Sequence, residues 1–183
     1  MMKKNIIAAL LPLTLIASHS VFAEDTDDVV PVTVNGGTVQ FSGSIVNAPC
    51  AINIGAGGHS VELGQYRVAD FKAAGDVSAA RLFNIKLDNC ATETYSKASI
   101  TFNGATVGGN SEALAVNGGA TGVGIQILQN DKALKVDGTT ASSAFNLNVG
   151  DNTLAFQAQY IALNSKVTPG AANATANFTV TYL

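Results

Sequence analysis

The chain has 183 residues, 47% of them hydrophobic and 13% charged, with 10 basic residues against 13 acidic, two cysteines, two histidines and no tryptophan. It holds no basic block, which excludes a surface built to track nucleic-acid phosphates or an anionic membrane. Beyond residue 23 one histidine remains, His59, too few for a His cluster, and two cysteines that pair with each other leave no soft ligands for zinc or copper.

Lys3-Lys4, the apolar run Ile6 to Ala17 and the small residues around Val21-Phe22-Ala23 predict a signal peptide over residues 1–23. The apolar run falls short of the roughly 20 residues that cross a bilayer, and no later stretch reaches that length, so no membrane span is expected. Removing residues 1–23 leaves 160 residues starting at Glu24 and moves the net charge from −3 to −5, because Lys3 and Lys4 leave with it. That length predicts one domain with a real core. Cys50 and Cys90 both lie in the exported part, and an even pair in an oxidising compartment predicts a disulfide. Closing a loop of about 40 residues stabilises by roughly 4 kcal/mol in chain-entropy terms.

Glu24 to Val30 is acidic and aperiodic and reads as a tail. In the stretch that follows, Val39, Phe41 and Ile45 share one parity, with Gly37 and Gly43 in step and Thr38, Gln40, Ser42 and Ser44 facing away. This predicts a strand from about Val32 to Ser44, with a register break near Asn35-Gly36-Gly37, where Val32 and Val34 fall out of phase. Ile52 and Ile54, then Val61 and Leu63, suggest two short strands around a Gly-rich turn. Tyr66 to Ala80 reads as loop with one helical turn. Leu82 to Asn89 alternates cleanly, with Phe83, Ile85 and Leu87 inward, and Cys90 follows it directly, so the bridge is expected to tie this strand to the one before Cys50. Ala98 to Phe102 is a strand, and Ala113 to Val116 a short one in a Gly-rich stretch. Val123–Leu128 and Ala133–Val136 flank a hairpin turn, and Asp137-Gly138 is another turn. Phe145–Val149 and Thr153–Leu163 flank Gly150-Asp151-Asn152.

From Ala174 the apolar residues again take every second place: Ala174, Ala176, Phe178, Val180 and Tyr182, with Thr175, Asn177, Thr179 and Thr181 between them. A strand shows opposite faces at successive residues, so this is a half-buried strand, opened by the turn signal Pro169-Gly170. The sequence ends one residue later, so no following strand is expected to pair its free edge. An apolar strand at an edge invites another chain; the plainer alternative is a strand buried between internal neighbours. Eight or nine short strands with turns between them and almost no helix predict an antiparallel β-sandwich.

The stretches VNGGTVQFSGSIVNAPCAI, VELGQYR, FNIKLDNCAT, GVGIQIL, NTLAFQAQY and TPGAANATANFTVTYL resemble the structural pilins of bacterial chaperone–usher fimbriae of the type 1 kind, over nearly all of the exported chain. Gly170 stands fourteenth from the C-terminus and Tyr182 is penultimate, as in the end motif of that family. The resemblance implies an all-β, immunoglobulin-like antiparallel β-sandwich lacking its final strand and completed by donor-strand exchange. It implies an N-terminal extension over 24–44, including the donor strand, ahead of an incomplete domain over 45–183. In the donor, Val39 and Phe41 fill groove pockets, Gly37 passes a tight spot, Gly43 keeps step, and Asn35 sits where exchange begins. The acceptor groove and the surface recognised by chaperone and usher are Gly170, Ala174, Ala176, Phe178, Val180 and Tyr182. The partners implied are neighbouring copies of the chain, a periplasmic chaperone, an outer-membrane usher and tip or adaptor pilins. The product is a fimbria on the cell surface, reached through the periplasm and supporting adhesion. A strand folded back into its own groove, giving a self-complemented monomer, is the mechanical alternative.

No catalytic site or cofactor is expected. His59 stands alone in a Gly-rich turn and reads as a solvated side chain, no G-x-S-x-G elbow occurs, and Gly36-Gly37 and Gly108-Gly109 lack the GK[ST] ending of a phosphate loop. Two classes of function remain: a structural fibre subunit, or a minor adaptor pilin, small secreted adhesin or other binding module.

Overall fold

The computed structural model describes residues 31–43, 45, 47–54 and 58–183. The expected signal peptide, the acidic stretch that follows it, Ser44, Val46 and residues 55–57 lie outside the described residues. The chain divides into two units, Met1–Gly43 and Ser44–Leu183.

In the first unit, residues 31–43 form no strand. The alternation read over Val32–Ser44 is therefore not expressed as a ladder in this chain alone. Its apolar members stand in solvent, Val39 73% and Phe41 89% exposed. A β pattern becomes a strand only when backbone groups find partners, and the described part of this segment has none.

The second unit is two antiparallel sheets. Eleven strands are described: β1 (Ala51–Asn53), β2 (Arg81–Cys90), β3 (Lys97–Gly104), β4 (Thr106–Val107), β5 (Asn110–Ala115), β6 (Val123–Gln129), β7 (Lys132–Ala133), β8 (Asp137–Ala141), β9 (Phe145–Asn146), β10 (Gly150–Ala162) and β11 (Ala176–Tyr182). The larger sheet runs β1-β2-β10-β6-β5-β4, with β7 also on β6; the smaller runs β11-β3-β8, with β9 also on β3. One 3₁₀ turn, Val68–Asp70, falls inside the loop expected at Tyr66–Ala80. Among the described residues no helix is long and apolar enough to cross a membrane.

Period-two patterning sets which side chains meet between the sheets. On β2, Ile85 and Leu87 are buried and Phe83 half-buried, as expected, while Asn84 and Lys86 are exposed. Two residues from Leu87 would put Asn89 inward. Instead Asn89 takes a left-handed φ of 54°, and between the pairs Asn152↔Leu87 and Gly150↔Cys90 two residues of β2, Asp88 and Asn89, oppose one of β10, Asp151. This bulge turns Cys90 into the core. Cys90 bonds to Cys50, as the cysteine count predicts. The strand tied to β2 differs from expectation: it is β1, which begins just after Cys50 and pairs Ala51 with Asp88. The bridge staples neighbours in one sheet.

Other departures have local reasons. The turn after β6 is two residues long, Asn130 and Asp131, both at positive φ (52° and 61°), the conformation that matches strand twist and that Asn and Asp tolerate. Asp137-Gly138 opens β8 and is not a turn, with Gly138 at φ 79°. Val61 and Leu63 form no strand but pack on the core from an extended segment. Only Phe145–Asn146 of the stretch expected to reach Val149 is strand.

At the centre lies Phe156, 1% exposed. Its ring stacks on Phe83 at 5.7 Å and meets the edges of Phe102 at 5.2 Å and Phe145 at 5.4 Å. Phe83 and Phe156 come from the larger sheet, Phe102 and Phe145 from the smaller, so aromatic contacts bolt the layers together.

Two outcomes are expected in urea denaturation. Replacing Cys50 and Cys90 with alanine lowers the unfolding free energy by about 4 kcal/mol. Phe156→Ala lowers it by about 3–5 kcal/mol.

Candidate functional site

β11 hydrogen-bonds to β3 through seven register pairs, Ala176↔Gly104 to Tyr182↔Ala98. Its other edge has no strand beside it among the described residues. Paired residues on one face point the same way, so opposite partners normally share burial. Here they do not. Ala98 and Ile100 are 0% exposed and Phe102 4%, whereas Tyr182, Val180 and Phe178, directly across from them, are only half-buried. The expected alternation of Ala174, Ala176, Phe178, Val180 and Tyr182 is present, with Thr175, Asn177, Thr179 and Thr181 exposed between them.

Beside this edge opens an apolar cavity of about 210 Å³. Ala174, Ala176 and Phe178 form one wall; Phe83 and Ile85 of β2, Leu114 of β5 and Ile125 and Ile127 of β6 form floor and far side. The Phe178 ring lies 6.4 Å from Phe102, at the end of the aromatic cluster. These floor residues went unrecognised in the sequence because they read only as core positions, and nothing local says the core is open above them. His59, read as merely solvated, is exposed but lines the mouth of this cavity, 6.4 Å from the Phe178 ring.

Tyr182 lies further along the same face, and its hydroxyl donates a long bond of 3.4 Å to the Cys50 carbonyl. Burial pushes its phenol up from the ordinary value, so it stays a donor at neutral pH. The C-terminal residue is fixed by backbone bonds with β3: Leu183 N–H donates to the Lys97 carbonyl (2.8 Å), and Lys97 and Ser96 N–H donate to the Leu183 carbonyl (2.9 and 3.0 Å).

Gly170 is not part of the cavity. It belongs to the lead-in to β11, where residues 168–173 lie against the Gly-rich segment 117–121. Asn117 and Asn173 exchange backbone bonds of 2.8 and 3.0 Å, and the Ala171 N–H donates to the Gly118 carbonyl at 3.1 Å. A Cβ on Gly170 would run into the backbone of Gly119 and Ala120. Glycine is needed there for close approach of two backbones, and the contact fixes where β11 begins. The residues expected to form a donor strand, Asn35, Gly37, Val39, Phe41 and Gly43, all lie in the unit Met1–Gly43, without regular structure and exposed.

An edge of unpaired backbone groups lies beside alternating apolar side chains and an apolar hollow, the features that β-augmentation uses.

The family model described as "Fimbrial protein" matches residues 39–183. The chain is 43% identical to the "Fimbrial subunit type 1" of Klebsiella pneumoniae, covering 98% of each chain. Among solved structures, it superposes on the P pilus rod subunit PapA with a TM-score of 0.65 and 31% identity, over 74% of this chain and 100% of that one. It superposes on a chaperone–usher pilus subunit, from a structure concerned with rod uncoiling, with a TM-score of 0.68 and 32% identity, over 84% and 100%.

Gly170→Ala is expected to destabilise the domain by about 1–3 kcal/mol, the usual range for a side chain forced into a filled space. Gly108→Ala, where a Cβ meets nothing within 4 Å, stays within about 0.5 kcal/mol. Thermal melts of the two variants side by side measure the difference.

Proposed function

The chain belongs to the fimbrial protein family, and from that premise we propose that the free edge of β11 accepts a strand donated by the leader of another copy, so that copies join into a fibre. It is a structural pilin of the chaperone–usher type and not an enzyme. The observation that carries the proposal is the unequal burial across β3–β11: a core face finished on one strand and left half-open on its partner, at an edge with no strand beside it among the described residues.

In this reading Val39 and Phe41 of the incoming leader enter the cavity, and Gly37 and Gly43, on the same parity, keep its backbone close to β11. Asn35 stands at the leading end. Burying Val39 and Phe41 contributes roughly 3–6 kcal/mol, and some eight ladder hydrogen bonds add about 1 kcal/mol net each. Ordering the leader opposes this by about 1–2 kcal/mol per residue. The sum alone does not hold the joint, which owes its endurance to a barrier: withdrawing the strand reopens the acceptor's core, which makes release slow.

Before a neighbour arrives, the same apolar edge needs a cover, and a periplasmic chaperone strand followed by hand-over at an outer-membrane usher meets that need. The signal peptide over 1–23 directs export to the periplasm, the fibre stands on the cell surface, and tip or adaptor pilins cap it. The near-complete coverage of a type 1 fimbrial subunit at 43% identity favours a rod subunit over an adaptor or adhesin.

The test is assembly by the exported chain carrying Val39→Asp with Phe41→Glu. Electron microscopy and sedimentation are expected to show loss of polymer by more than tenfold, with far-ultraviolet dichroism of the β-sandwich retained. Fibres of normal length from this variant would overturn the proposal.

A further inference from the structure

The cavity beside β11 has one titratable side chain in its lining, His59. Its imidazole is tilted 49° to the Phe178 ring at 6.4 Å, and the side chain is exposed at the mouth. The rest of the lining is aliphatic or aromatic apart from Thr175. No Asp, Glu, Lys or Arg is among the residues that line the cavity with it. Residues 167–183, which hold β11 and its lead-in, have no charged side chain, and neither has β6. Lys97 of β3 is at the far end, next to the pair Tyr182↔Ala98. Arg81 and Lys86 of β2 and Glu112 of β5 are exposed, and Asp88 accepts a 2.7 Å bond from Asn53. On its own segment Glu62 is exposed, next to the buried Leu63. The donor segment, residues 31–45, is also free of charge.

A strand laid along β11 therefore covers His59 with neutral peptide and brings no counter-charge. Covering a protonated imidazole removes its hydration without replacement, whereas a neutral one is covered at little expense. The covered state thus favours the neutral form, and by linkage the protonated form favours the open groove. We infer that His59 makes the joint between copies acid-labile, the donor strand docking firmly at neutral pH and loosening as the imidazole gains a proton. This rests on the strand-donation reading above. Histidine is the side chain whose charge changes across pH 5–8.

The experiment uses the full exported chain, at a concentration low enough to prevent self-association, and a fluorescent synthetic peptide of residues 31–45. Fluorescence anisotropy gives the ratio of dissociation constants at pH 5.0 and pH 7.5 for the parent, His59→Gln and His59→Phe. His59→Phe retains an aromatic ring beside Phe178 but never charges. The expected ratio is roughly tenfold for the parent and near one for both variants. A parent ratio near one, or a tenfold ratio that persists in both variants, overturns the inference and leaves strand docking standing. Failure of the peptide to bind the parent at pH 7.5 overturns strand docking, and the inference falls with it.

Discussion

The pairing of Phe178 with Phe102 sets the terms for the rest of the molecule. Both rings lie in register and both line the hollow, yet Phe102 is buried and Phe178 only half-buried. An apolar face with one row of neighbours on one flank and none on the other stays poised toward whatever supplies the second flank. Specificity and affinity then come from the same place, since the alternating side chains and the backbone edge run along one strand.

Such a face persists only if the surrounding structure does not collapse into it. Three features hold the walls apart. The aromatic cluster around Phe156 fixes the spacing of the sheets through contacts with both. The lead-in to β11 is pinned against residues 117–121 where Gly170 passes their backbone. The far end is held by the hydrogen bonds of Leu183 with Ser96 and Lys97 and by Tyr182 reaching the Cys50 carbonyl. β11 is thus anchored at both ends, and its middle is left to face the opening. Packing this rigid relaxes little around a void, which is why the cavity remains open.

Much of this was legible along the chain, and what was not has physical reasons. The alternation of β11 and β2, the cysteine pair and the loop before Ala80 are local signals, and they appear as read. The bulge at Asn89, which changes the facing of Cys90, depends on how many residues of β10 lie opposite. No local pattern carries that count. Gly138 reads as a turn because glycine serves turns more often than strand openings. The cavity floor, Ile85, Leu114, Ile125 and Ile127, comes from three strands far apart in sequence, so it exists only once registers are set. The segment from Val32 to Gly43 has a strand's pattern without a strand's structure, because pattern belongs to the chain and pairing to a partner.

The disulfide has a mechanical meaning. In the proposed joint, load applied through the leader of a subunit enters the domain at Ser44 and reaches Cys50 within a few residues. There the covalent path jumps to Cys90, 40 residues on, leaving β1, β2 and the long loop between them off the line of tension. A fibre of such subunits under drag cannot pay out that length: about 140 Å of slack per subunit, at the reach of an extended chain, is withheld. Whatever extension the filament allows has to come from the joints or from its coiling, with the first third of each domain locked out of the stretch.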